Sequence, residues 1–415
     1  MESQALVTND AVVLGMLALI LGFVFYTEAS EHPFWKKFYK YVPGLLLCYF
    51  LPSLLNTFGI VDADQSNLYF VSSRYLLPAC LVLLTLSVDL PAIFRLGYKA
   101  LIMFFTGTIG ILLGGPIALL VVGYFSPETV GGEGPDAVWR GLTTLAGSWI
   151  GGGANQAAMK EVFEVSDELF SQMIAVDVIW ANLWLAILLF LAGRAESIDA
   201  RSGADTSAIE DLRQRVEAFH DEHARFLTLP DLMFILAVGF GATGFAHATG
   251  GWLAEWIAVN APGLARLSLT SSFFWLVVIA TTIGLILSFT PVKRLEGAGA
   301  SRVGTALLYM LIASIGLGMD VTAVFSNPGL FAIGGVWIAF HAVLLVIVAK
   351  VIKAPLFYMA VGSQANVGGA ASAPVVASAF HPSLAPVGVL LAVLGYAIGT
   401  YAAWITGLLM QAVTT

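Results

Sequence analysis

The chain is 415 residues long with a formal charge of −8; 58% of its residues are hydrophobic, only 11% are charged, and its mean hydropathy is +0.87. A soluble globular chain carries roughly a quarter charged residues, so a water-soluble fold is excluded. Its few Lys and Arg lie between apolar runs and form no basic face, which excludes nucleic acid as a partner.

A bilayer core of ~30 Å needs about 20 mostly apolar residues per helix. Runs of that kind fall at residues 10–27, 41–60, 72–90, 100–125, 168–193, 230–250, 272–290, 302–319, 329–350 and 384–411. The first begins at Asp10 with no basic stretch before it and basic residues after it, unlike a secretory signal peptide. It reads as the first span. Cys48 and Cys80 both lie inside apolar runs and read as packing residues, with neither a disulfide framework nor a thiolate metal site. Asp89 and Asp320 close their runs ahead of Pro91 and Thr322, the placement of an N-cap.

Two further stretches, 140–163 and 355–380, are hydrophobic but rich in Gly, Ala, Ser, Asn and Gln. If each enters and leaves on the same side, nearly all basic clusters fall on one face. These are Lys36, Lys37 and Lys40; Arg95 and Lys99; Arg194, Arg201, Arg213, Arg215 and Arg225; Lys293, Arg294 and Arg302; and Lys350 and Lys353. The other face receives Asp62, Asp64, Glu128, Glu133, Asp136 and Glu255, with Arg74, Arg140, Lys160 and Arg266 as exceptions. The positive-inside rule then predicts ten spans plus two re-entrant segments in the cell (inner) membrane, with both termini outside. Residues 194–227 form the one sizeable polar piece, predicted as a cytoplasmic amphipathic linker helix from the spacing of Leu212, Val216, Phe219 and Phe226. His220 and His223 within it read as solvated.

Two short matches indicate an internal repeat. Gly147-Ser148 and Gly152-Gly153-Ala154 correspond to Gly362-Ser363 and Gly368-Gly369-Ala370, and "DLPAIF" from Asp89 corresponds to "DVTAVF" from Asp320. With five spans in each half, 1–193 and 228–415, the second half must enter from the opposite side. The predicted fold class is therefore an all-α polytopic membrane protein of two inverted-topology repeats, each with a glycine-rich broken segment.

Backbone at membrane depth survives without a continuous helix only where it is buried in protein or lines a wet cavity. Gly147, Gly151, Gly152 and Gly153 in the first stretch, and Gly362, Gly368 and Gly369 in the second, disfavour such a helix. Broken helices aim N–H groups at anions and carbonyls at cations, and Ser148, Asn155, Gln156, Ser363, Gln364, Asn366 and Ser372 add neutral donors and acceptors. These seven are the candidate solute ligands. Asp177, about ten residues into a predicted span, is the sharpest single residue, because a carboxylate there must be protonated, paired or hydrated. Protonated it would relay a proton; ionised it would hold Na⁺ with Asn155, Asn182 or exposed carbonyls. Its counterpart in the second half lies near Gly395, where Thr400 is the main polar group, so the ion-coupling candidates are Asp177, Asn182 and Thr400. His341 and His247 read as packing residues.

The passages "GSWIGGGANQAAMKEVF", "VDVIWANLWLAILLF" and "VGSQANVGGAASAPVVASAF" resemble the membrane family called domain of unknown function 819, or YjcL-like. The resemblance implies the inverted-repeat fold of the cation/proton antiporter and anion transporter superfamily, with a core domain moving against a scaffold. More distantly, the paired segments resemble those of sodium/glutamate and citrate symporters, although the glycine pattern departs from theirs after Gly153 and Gly369.

The expected function is secondary active transport of a small solute, an organic anion or amino-acid-like compound, coupled to Na⁺ or H⁺. A cation/proton antiporter without organic solute, or a channel or sensor, is the alternative. No H-E-x-x-H, paired-Asp, nucleophile-elbow or nucleotide motif points to an enzyme. No cofactor is expected beyond the coupling ion; the partners are lipid and solute, with a homodimer left open.

Overall fold

In the computed structural model, which describes residues 6–39, 42–204, 227–319, 327–381 and 384–414, every regular element is a helix. Helix α1 (Asp10–Glu28) is opened by Asn9, whose side-chain oxygen accepts the N–H groups of Ala11 and Val12, donors that a helix start leaves free. The short α2 (Pro33–Tyr39) leads into α3 (Gly44–Thr57), and α4 (Leu68–Val71) runs through a π-turn at Ser72–Leu76 into α5 (Leu77–Leu86). Asp89 caps α6 (Leu90–Arg95) as its position predicts, accepting the Ala92 N–H at 3.2 Å. Its repeat partner Asp320 lies outside the described residues. The first half closes with α7 (Tyr98–Phe125), α8 (Val138–Gly151), α9 (Gly153–Val162) and α10 (Asp167–Ala192), followed by α11 (Ala195–Ser202).

The second half contains α12 (Leu229–Asn260), α13 (Ser272–Leu287), α14 (Ala300–Leu317), α15 (Gly329–Val351), α16 (Leu356–Val367), α17 (Gly369–Phe380) and α18 (Ala385–Thr414). Of the predicted linker, only residues 194–204, which carry α11, and Leu227 are described; Leu212, Val216, Phe219, His220, His223 and Phe226 lie outside. Eight helices are long and apolar enough to cross a bilayer, or ten if two bent pairs, α2 with α3 and α13 with Pro291–Ala298, each count as one span. The span predicted at 230–250 continues ten residues further, to Asn260. Gly250 does not end it, because it is the point where α12 meets α13: a Cβ there would lie 3.2 Å from the Leu276 nitrogen.

The bundle has two ends. At one, Asp10 accepts from Ser66 Oγ (2.8 Å), Lys160 meets Asp167 (2.8 Å), Arg74 meets Glu161 (2.6 Å), and the C-terminal part of α18 packs at Gly407 against Phe163. At the other, Lys293 faces Asp89 (3.7 Å), Lys99 donates to the Lys353 carbonyl (3.1 Å), and Asp199 accepts the Leu356 N–H (2.8 Å). Helices α7 and α15 run antiparallel between them, since Lys99 neighbours Lys353 while Thr129 packs on Gly329. Helix α5 packs on α13 and α14, and α3 on α14. The three described cations at the first end that broke the charge pattern all have partners there: Arg74 with Glu161, Arg140 with the Phe163 carbonyl (2.6 Å), and Lys160 with Asp167 and the Tyr69 hydroxyl.

Asp199 ties the segment after α10 to the start of α16. Burial pushes its carboxyl above the usual range, and the Leu356 N–H opposes this only in part. A carboxyl whose folded-state pKa is raised stabilises the fold below its unfolded pKa, near 4, and loses that contribution as pH rises. Asp199→Asn keeps an oxygen for Leu356 and removes the charge. Its expected effect is a higher melting temperature than wild type at pH 7–8, with the difference shrinking as the buffer is taken below pH ~4; thermal unfolding across that range checks it.

Candidate functional site

Both glycine-rich stretches are hairpins. Fourteen residues of α8 and ten of α9 give legs of about 21 and 15 Å at 1.5 Å per residue, too short to cross a ~30 Å core. The chain turns at Gly152, whose φ of +76° suits glycine. Its legs return to the same end: Ser166 N–H bonds the Pro135 carbonyl (3.2 Å), and Arg140 reaches Phe163. Gly147 lets them close, since a Cβ there would lie 2.6 Å from the Asn155 carbonyl oxygen. The second hairpin, α16 and α17, turns at Gly368-Gly369, with φ +55° at Gly369. Phe357 and Phe380, at its two distal ends, stack edge-on with centroids 5.3 Å apart. The first hairpin opens at the end that holds Asp167, and the second at the end that holds Asp199.

The two tips meet on α18. A Cβ on Gly395 would lie 2.6 Å from the Ile150 carbonyl oxygen and 3.4 Å from that of Ala365, so α18 touches both turns through one hydrogen. One turn further, Gly399 meets Gly151 backbone to backbone, with a Cβ placed 2.6 Å from the Gly151 Cα.

Asp177 lies about 15 Å along α10, half the depth of a bilayer core. It is 7% exposed. Its Oδ2 accepts from Ser148 Oγ (2.6 Å) and Gln156 Nε2 (3.1 Å), and its Oδ1 from Trp149 Nε1 (2.7 Å). Both legs of the first hairpin are thereby pinned to one carboxylate. Asn155 points elsewhere, because consecutive helix residues diverge by 100°: it donates to the Gly151 carbonyl and accepts from Thr400 Oγ1 (2.6 Å), which also meets Thr281. Asn182 is not brought to this site. Five residues beyond Asp177 it faces outward and bonds the Val178 carbonyl of its own helix. An ion held by Asp177 with Asn155 or Asn182 is therefore not the arrangement present; Ser148 and Gln156 engage Oδ2, and Trp149 engages Oδ1.

On the second hairpin, Asn366 donates to the Phe104 and Gly362 carbonyls and accepts from Thr108 (2.8 Å). His341 Nδ1 faces the Gly107 carbonyl at 3.0 Å and so carries the proton. Its Nε2 then accepts from Ser363 Oγ (2.8 Å), which accepts from Trp184 Nε1 (2.8 Å). His341 is a satisfied packing histidine, as read from the sequence, although it fixes a candidate ligand. Gln364 Nε2 donates to Ser372 Oγ (2.7 Å) across the break.

The family model described as "Protein of unknown function (DUF819)" matches residues 14–413, a stretch that takes in both hairpins, Asp177 and the α18 glycines. The chain belongs to the DUF819 family. It is 24% identical over 379 residues to the "Uncharacterized membrane protein YjcL" of Bacillus subtilis (strain 168), covering 88% of this chain and 89% of that protein.

In this DUF819 chain, reading by residue type missed Trp149, Trp184 and Gly399, and it named Gly395 only as the position opposite Asp177. The packing role of Gly395 makes a fourth omission. Three of these carried a usable signal. Asp177 and Trp184 are seven apart and share a helix face, and Gly395 and Gly399 show the i, i+4 small-residue spacing of a close helix contact. Trp149 carried none, because nothing in sequence says that its indole reaches α10.

Proposed function

We propose that the protein is a secondary active transporter, coupling Na⁺ or H⁺ movement to passage of a small polar solute by alternating access, with no covalent step on the solute. The observation that carries this is the convergence of two glycine-broken hairpins, from opposite ends of the bundle, on Gly395 of α18 beside a buried carboxylate. Polar backbone at that depth is tolerated where it is buried in protein or lines a wet cavity. In this reading Asp177 binds the coupling ion, and the hairpin tips hold the solute.

An inverted relation between residues 1–193 and 228–415 is supported by the opposed openings and by the reciprocal packing of α3 on α14 and α13 on α5. The described basic residues Arg95, Lys99, Arg194, Arg201, Lys293 and Lys353 gather at the end holding Asp199. This supports that end as cytoplasmic and the termini as outside the cell membrane.

Proteoliposomes given an imposed Na⁺ or pH gradient and a panel of radiolabelled organic anions and amino acids test the reading. Uptake above equilibrium that collapses with the gradient is expected. Ohmic current without accumulation would instead mark a channel. Asp177 is the one buried acid at the level of the tips among the described residues, which favours a second reading, cation/proton antiport without solute. Cation-evoked charge movement in membranes lacking any solute would select it.

A further inference from the structure

Most polar side chains on the hairpins are occupied in holding them. Ser148 and Gln156 bond Asp177, Asn155 bonds Thr400, Ser363 sits between Trp184 and His341, and Asn366 is engaged at both ends of its amide. Gln364 is different. It is 1% exposed, and its Nε2 is used on Ser372 Oγ, yet its Oε1 has no hydrogen-bond partner. Among the described buried side chains, only Tyr49 Oη shares that condition. Folded proteins rarely leave a buried acceptor unpaired, and one that persists at a helix break points to a group not counted among the protein's own atoms.

The surroundings set the charge of that group. Gln364 lies in the last turn of α16, where carbonyls lose their intrahelical partners, and the next residue, Ala365, turns its carbonyl onto Gly395 beside that of Ile150. The buried formal charge at the level of the tips, among the described residues, is the Asp177 carboxylate on α10, bonded to the first hairpin. The described Lys and Arg side chains are at the two ends of the bundle, and both ring nitrogens of His341 are engaged, by the Gly107 carbonyl and by Ser363. Oxygen acceptors and a carboxylate, with no cation among them, form a poor site for an anion and a fit for a positive group.

We infer that Gln364 Oε1 is a ligand for a monovalent cation at the second hairpin, either Na⁺ itself or the ammonium group of a solute. This rests on the transport reading and narrows it: the solute end facing Gln364 is not a carboxylate, and this cation is distinct from the coupling ion at Asp177. Ser372 acts as a positioning residue, because its hydroxyl holds the amide with Oε1 turned away from it.

The test uses the full-length protein purified in detergent. Its thermal unfolding is followed against NaCl and against methylammonium chloride, with choline chloride keeping ionic strength constant, since a ligand that binds only the folded state raises the melting temperature. A rise with NaCl alone identifies Na⁺, and a rise with methylammonium alone identifies a solute amine. Gln364→Met should abolish the rise. Gln364→Glu should reach half-effect at roughly tenfold lower cation, as an added charge on the ligand requires. No rise with either cation, or a rise that Gln364→Met leaves intact, overturns the assignment. Should Gln364→Met fail to fold, an unchanged half-effect in Gln364→Glu overturns it equally. Uptake in proteoliposomes is measured in parallel. Accumulation without a Gln364-dependent cation effect removes this site and leaves transport standing, whereas a Gln364-dependent effect without accumulation keeps the site and removes the transporter.

Discussion

Asp177→Asn should reduce the ratio of internal to external solute in gradient-loaded proteoliposomes to about one, because a gradient can drive accumulation only through a group whose interaction with the coupling ion differs between states. The variant is expected to fold. An Asn oxygen can replace Oδ1 as acceptor for Trp149, and its amide nitrogen then faces Ser148 and Gln156, both of which can turn to accept. Exchanging three charge-assisted bonds for neutral ones costs about 1–3 kcal/mol, measurable as a modest loss of melting temperature. Ser148→Ala, which removes one of the three donors and keeps the charge, should retain accumulation. A purified Asp177→Asn protein that accumulates solute with unchanged ion dependence would take Asp177 out of the mechanism.

The second large effect is expected at the glycine seat on α18. Gly399→Leu places four carbon atoms where the Gly151 backbone already lies, with the first of them 2.6 Å from the Gly151 Cα. The Gly151 backbone cannot swing away as a side-chain end can, and Asn155 Nδ2 lies 2.8 Å from the same carbon, so the tip of the first hairpin must lift off α18, and Asn155 loses Thr400. Overpacking of this kind costs about 3 kcal/mol or more, and uptake should fall with it. Gly399→Ala should show the same direction with a smaller loss. Gly241→Leu on α12, where no other atom lies within 4 Å of a Cβ, is the matched control and should leave melting and uptake near wild type. Equal losses at Gly399 and Gly241 would mean that the α18 contact is not special.

The location of the hairpins was legible because four glycines in seven residues and the amide-rich flanks cannot favour a lipid-facing helix. Their return to the same end was legible only through the charges, and three of the four exceptions to that pattern, Arg74, Arg140 and Lys160, proved to be paired cations. Asp177 was legible because a carboxylate within 26 mostly apolar residues is costly whatever surrounds it. Its partners were only half legible. Ser148 and Gln156 could be named as polar residues of the right stretch, but Asn155 and Asn182 could be assigned to it with equal reason, and both turn elsewhere. At one residue per 100°, neighbours in sequence face different helices, and no composition rule says which neighbour faces the acid.

Sequence alone determined the solvent of this chain, its helical class, the two broken segments and the buried acid, because each follows from the cost of placing a given group in hydrocarbon. That cost depends on the residue and its depth rather than on its partners. The tertiary structure decided which polar groups are consumed in holding the hairpins and which, at Gln364 Oε1, is left over. Hydrogen-bond satisfaction is a property of pairs brought together from distant parts of the chain, as when Thr400 meets Asn155 or Trp184 meets Ser363. One string of residues does not contain it.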